Sequence, residues 1–98
     1  MKQYLIDCDL PTNLTAEFIS LIPKHREQVD GQFATGKITS YTLSQDHSKL
    51  WLTCKAVSEA EVMDLLSSFA LTRFMRCTVH ELMLYEKANE NLPQVALN

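Results

Sequence analysis

Residues 2–11, KQYLIDCDLP, alternate along the chain: Tyr4, Ile6 and Cys8 fall on one side, Leu5, Asp7 and Asp9 on the other. A period of two predicts a strand, and Pro11 ends it because proline cannot donate to a ladder. The next segment offers Thr12, Asn13 or Thr15 as a helix cap. Apolar residues then recur at Phe18, Leu21, Ile22, Val29 and Phe33, which is helical spacing, and Gly36 is a natural stop. Pro23 removes one backbone donor inside this stretch, so a kink or a broken first turn is expected. Two β-rich runs follow, KITSYTLS (37–44) and KLWLTCKAV (49–57), joined by the polar QDHS as a hairpin loop. Ser58 with Glu61 three residues on is a capping box, and Val62, Leu65, Leu66 and Phe69 form the apolar stripe of a second helix. The last run, RFMRCTVHELMLYE (73–86), alternates through Met75, Cys77 and Val79 and then changes phase to Leu82 and Leu84. A phase change inside a strand predicts a bulge near His80 and Glu81.

The order β-α-β-β-α-β is the split βαβ, ferredoxin-like α+β arrangement, a four-stranded antiparallel sheet with both helices on one face. The other face should be polar in a monomer. Trp51 and Val57 nevertheless oppose Leu50, Leu52 and Cys54 on the third strand, and the fourth shows apolar residues in both phases. Two apolar faces call for a cover, and a second copy of the same sheet is the simplest one, giving a two-fold homodimer with a barrel-like interior. Residues 87–98, polar and then briefly apolar at Val95, Ala96 and Leu97, read as a tail that either frays or docks on a partner subunit.

At 98 residues and 46% hydrophobic, the chain is expected to fold as a single domain over 1–98 rather than remain disordered. A net charge of −3 with scattered basic residues leaves no footprint for nucleic acid and no attraction to an acidic membrane. No apolar run approaches the roughly 18 residues of a membrane span. The start of the chain has no basic and apolar leader, so a cytoplasmic location is expected. Cys8, Cys54 and Cys77 are far apart, make no C-x-x-C motif, and read as small buried hydrophobes. The three histidines lack metal spacing, so no metal is expected.

Three stretches, DLP at the end of the first strand, GKI after the first helix, and SEAEVMDLLSSFALTRFM running into the last strand, make the chain resemble the muconolactone isomerase family over roughly residues 1–86. The segment SSFALTRFM keeps the family's spacing and lacks its two prolines. Where the family carries Trp and Arg after the glycine, this chain has KITSYTLS; where the family has acidic residues early in the last strand, it has Arg76 and Thr78; and His25 stands where the family's first helix is acidic. The resemblance implies a ferredoxin-like dimeric α+β barrel, often assembled further into a higher homo-oligomer as a ring of dimers, and a cofactor-free 1,3 proton shift on a small unsaturated lactone carboxylate.

His25 falls near the centre of the apolar side of the first helix, with Arg26 at its edge and Glu27 on the far side, so the imidazole should point inward. It reads either as a packed histidine with one satisfied hydrogen bond or as a base, because its ordinary pKa of about 6.5 lets it take and return a proton near neutrality. A proton shift also needs a cation or donor for the developing enolate oxygen and for a substrate carboxylate; Arg26, Arg73 and Arg76 are candidates, and Tyr41 could donate a hydrogen bond. Tyr41 and Trp51 otherwise read as core or interface residues. Asp46 and His47 read as a solvated turn. His80 and Glu81 should point to opposite faces unless a bulge re-aims one, and Asp7 and Asp9 share an exposed strand end.

Three functions follow from these residues. The first is an isomerase acting on a small-molecule substrate, with His25 as base and Arg26, Tyr41, Arg73 and Arg76 as substrate-binding residues. The second is a different enzyme of the dimeric barrel superfamily, such as a small oxygen-using monooxygenase acting on an aromatic or polyketide-like compound. The third is a non-catalytic ligand-binding or assembly module. An open pocket with a perturbed histidine would favour an enzyme; a filled interior with His25 bonded to backbone would favour the module.

Overall fold

The computed structural model describes residues 1–86, so the expected tail at 87–98 lies outside the described residues. Its elements run β1 (Lys2–Asp9), α1 (Ala16–Ala34), β2 (Ile38–Leu43), β3 (Lys49–Ala56), α2 (Glu59–Ser67), a 3₁₀ turn (Thr72–Phe74) and β4 (Arg76–Glu81). The four strands form one sheet in the order β2-β3-β1-β4 with every neighbouring pair antiparallel. This is the α+β ferredoxin-like arrangement expected from the element order. No helix among the described residues is long and apolar enough to cross a membrane.

Local chemistry sets the helix ends. Thr15 is the cap of α1, its hydroxyl accepting from the Phe18 amide at 3.1 Å. The other end closes at Gly36, whose φ of +79° is the left-handed conformation glycine adopts without a Cβ penalty. There the Gly36 amide donates to the Phe33 carbonyl and the Lys37 amide to that of Gln32, which satisfies two otherwise orphaned acceptors. At α2, Ser58 accepts from the Glu61 amide, while Glu61 reaches back to the Val57 amide and to Lys37. The broken first turn expected from Pro23 does not occur: α1 continues through it. The carbonyl that loses its donor is that of Ile19, a residue on the exposed side of the helix.

The core lies between the helices and one sheet face. Tyr4, Ile6, Cys8, Leu50, Leu52, Cys54, Ala56 and Ile38 point from the strands toward Val29, Val62, Leu65, Leu66 and Phe69. Each large apolar side chain buried here contributes about 1.5–3 kcal/mol. Phe33, expected in the apolar stripe, is 40% exposed at the end of α1.

Two strand expectations are corrected. The register between β1 and β4 is continuous from Tyr4↔Glu81 to Asp9↔Arg76, so no bulge lies at His80 and Glu81. The phase change at Leu82 and Leu84 is the end of the strand, beyond which the ladder no longer dictates which way a side chain points. The bulge is in β2 instead, between Ile38 and Ser40. Thr39 is the extra residue, and the hydroxyls of Thr39 and Ser40 both lie 2.6 Å from that of Thr53 on the open face.

The open face is also less apolar than expected. It shows Leu5 and Trp51 half-buried among Gln3, Asp7, Asp9, Lys49, Lys55, Arg76, Thr78 and His80. Lys49 lies 3.1 Å from Asp7 and 2.5 Å from Asp9, so this like-charged pair shares one cation. The apparent second apolar phase of β4 came from residues past its end.

Candidate active site

A cavity of about 170 Å³ opens between α1 and the end of the sheet where β2 runs into β3. Its walls are apolar. Phe18 and Ile22 come from α1, Leu50 from β3, Leu71 and Met75 from the segment leading into β4. Phe18 packs edge-on against Phe74 at 5.5 Å between ring centres. The rim is wetter: Leu14, Leu43, Arg26 and His47 are all exposed.

His25 reaches this cavity because it occupies the helical position between Ile22 and Val29. It is 4% exposed. Its Nε2 lies 2.9 Å from the Tyr41 hydroxyl, and its ring meets Phe69 edge-on at 5.6 Å. Nδ1 is buried without a hydrogen-bond partner among the described residues. Burial disfavours the imidazolium, and the neighbouring Arg26 guanidinium repels it, so the His25 pKa is pushed below its ordinary value. The ring is therefore neutral at physiological pH, with one nitrogen engaged and the other unpartnered. Tyr41 is the complement. Burial, the larger cause, and the nearby Cys8 push its pKa up to about 12, which keeps the phenol protonated and able to donate.

The bulge is what brings Tyr41 here. In a regular strand Ile38 and Tyr41, three residues apart, would face opposite ways. With Thr39 inserted, Ile38, Tyr41 and Leu43 share the helix-covered face, opposite Cys54, Leu52 and Leu50. Strand alternation alone groups Tyr41 with Thr39, which in fact lies on the other face.

Arg26 supplies the positive charge. It lines the cavity, makes no ion pair among the described residues, and no carboxylate lines the cavity with it. The structure thus brings together His25, Arg26 and Tyr41. It does not bring Arg73 or Arg76 to them. Arg73 is exposed, pairs with Glu17 at 3.3 Å and lies over the Phe74 ring. Arg76 pairs in register with Asp9 and faces away from the helices. The hairpin loop behaves as a turn: Asp46 accepts from the Ser44 hydroxyl and from the Ser48 hydroxyl and amide. Those donors hold its carboxyl down at about 2. His47, with φ of 62°, is carried by that turn to the cavity rim.

One positioning residue has no signal in the sequence. Gln28 donates to the Ser68 carbonyl at 2.9 Å and accepts from the Ala70 amide at 2.7 Å. A single α1 side chain thereby fixes the segment that places Phe69 against His25 and Leu71 in the cavity wall. On a helix surface a lone glutamine looks like any other solvated position. Among the described residues, no group of three His, Cys, Asp or Glu side chains is disposed to hold a metal ion.

Among solved structures, the chain matches a crystal structure of muconolactone isomerase with a TM-score of 0.70 over 94% of this chain and 99% of that one. The fold is muconolactone-isomerase-like. Sequence identity over the match is 15%, so the likeness concerns the fold and not the residues of the cavity. No family model matches the chain, and the comparison with curated proteins gives no match.

Proposed function

We propose that this protein is a cofactor-free isomerase that moves a proton within a small unsaturated lactone or carboxylate. The observation that supports it most directly is the state of His25: buried, held neutral, bonded through Nε2 to a tyrosine hydroxyl rather than to backbone, and unpartnered at Nδ1 among the described residues. A neutral imidazole in an apolar cavity is a base that can take a proton from a carbon next to an unsaturated carbonyl system. The C–H electron pair passes into the conjugated system as an enolate. His25, now protonated, returns the proton two atoms away, and the double bond settles in its new place. In this reading Arg26 and the Tyr41 hydroxyl meet the negative charge, one pairing with a carboxylate and the other donating to the enolate oxygen. The apolar walls suit the hydrocarbon part of such a substrate. The fold likeness to muconolactone isomerase points the same way.

The reading extends to assembly. A second copy on the open sheet face, around Leu5 and Trp51, would form a homodimer, and the elution volume of the native protein against Trp51→Lys checks this.

The test of the activity is an ultraviolet assay of muconolactone isomerisation, comparing wild type with His25→Ala at matched circular dichroism. Turnover in the wild type that collapses in the variant supports the proposal. Absence of turnover in a folded wild type would favour a non-catalytic ligand-binding module built on the same cavity.

A further inference from the structure

Cys8 and Cys77 are a pair of thiols that the cavity chemistry does not use. They are 69 residues apart in sequence, yet the β1–β4 register places them directly opposite one another, both on the helix-covered face. Directly opposed residues of an antiparallel pair have Cα atoms about 4.5–5.5 Å apart. A disulfide needs about 4.4–6.8 Å. The backbone therefore already holds the separation a cross-strand bridge requires, and the two sulfurs lie 2.8 Å apart as free thiols.

The two thiols are not equivalent. Cys8 is buried at 1% exposure on a central strand, while Cys77 is only half-buried on an edge strand. Their mutual hydrogen bond, together with burial, pushes the Cys8 pKa up; the same bond lowers that of Cys77. Cys77 is thus the thiol that ionises first and meets solvent first, and Cys8 is the one that resolves. Cys54, fully buried on β3, has no sulfur partner.

We propose that Cys8 and Cys77 form a reversible intramolecular disulfide, a redox modification site that fastens the edge strand β4 to the central strand β1. The oxidant is of the peroxide class. The Cys77 thiolate attacks one peroxide oxygen, the O–O bond breaks, and Cys77 becomes a sulfenic acid with release of hydroxide, which takes up a proton to give water. The Cys8 sulfur then attacks the Cys77 sulfur, the S–O bond breaks, and a second water leaves with the Cys8 proton. Two thiols lose two electrons and one peroxide gains them. A dithiol reductant reverses the bridge. The bridge closes a long loop, so the oxidised form should also resist unfolding. The pair sits in one row across the sheet with Leu50 and Leu43, which line the cavity, so the bridge would fix a strand next to that site. The proposal stands independently of the isomerase reading.

The test is intact-mass and thiol-labelling analysis of the whole chain, reduced, desalted and treated with hydrogen peroxide. The expected result is the loss of two hydrogen masses, a fall in alkylatable thiols from three to one, a Cys8–Cys77 cross-linked peptide, and recovery of all three thiols with dithiothreitol. In Cys8→Ser, Cys77 should instead gain one oxygen and react with dimedone. Three thiols persisting after peroxide, a bridge that includes Cys54 or joins two chains, or irreversible oxidation of Cys77 in the wild type would each overturn the proposal. The wild-type experiment decides the matter even if the variant does not fold.

Discussion

The Tyr41 hydroxyl lies 2.9 Å from Nε2 of His25, and this contact between β2 and α1 depends on the extra residue Thr39 in β2. Tyr41→Phe keeps the ring and deletes the contact. It leaves His25 with both nitrogens unpartnered, so a loss of about 1–3 kcal/mol is expected in urea unfolding. If Tyr41 also donates to an enolate, turnover should fall on the order of a hundredfold while the fold survives.

The depressed pKa of His25 gives stability a definite pH dependence. Unfolded, the imidazole titrates near about 6.5. Folded, it titrates lower, so between the two values the unfolded chain binds more protons and stability rises with pH. Stability should therefore decline as pH drops through about 6.5 and continue to decline until the folded value is passed. In His25→Gln this part of the profile should flatten, as read from urea midpoints across a pH series. If His25 is the base of the proposed isomerisation, the acid limb of its pH–rate profile should likewise lie below the ordinary imidazole value.

Arg26 acts on His25 through charge, without touching the proton itself. Arg26→Gln removes the repulsion that helps hold the imidazole neutral, so the His25 pKa should move up, measurable by NMR titration of the ring protons. The same variant should raise KM for a carboxylate substrate more than it lowers kcat, since a cation that pairs with a carboxylate in both ground and transition states contributes mainly to binding.

Gln28→Ala should loosen one wall of the cavity. It removes hydrogen bonds to Ser68 and Ala70, for a cost of about 1–3 kcal/mol. Hydrogen exchange at the Ala70 amide should quicken more than exchange in β1 or β3. That local change separates a positioning role for Gln28 from a general loss of stability.

Arg73→Ala provides the contrast. Its partner Glu17 is exposed, and such pairs contribute about 0–1 kcal/mol. Turnover in this variant should match the wild type. A large drop would mean that the substrate extends beyond the cavity toward the 3₁₀ turn.

The features that could be read from the sequence are those governed by neighbours along the chain. Thr15 and Ser58 cap their helices because a hydroxyl three residues before an amide can reach it. His25 turns inward because its helical neighbours on that face are apolar. The features that could not be read depend on partners far away in sequence. The β2 bulge has no glycine to mark it; its hydroxyl pairs with Thr53 become visible only once β2 and β3 are aligned. The Cys8–Cys77 contact needs the β1–β4 register, so three widely spaced cysteines looked like unrelated core residues. The change of phase at Leu82 was visible, but alternation does not distinguish a bulge from the end of a strand.

The cavity's His25–Arg26–Tyr41 cluster and part of its apolar wall stand on different kinds of structure. His25, Arg26 and Tyr41 sit on α1 and β2, whose backbone hydrogen bonds fix them, whereas Leu10, Leu14, Leu71 and Met75 stand on connections between elements. Connections tolerate replacement far better than ladders do. Size and contour can therefore be retailored residue by residue in the loops while the His25–Tyr41 pair keeps its geometry, which makes this scaffold a natural starting point for laboratory evolution toward new ligands.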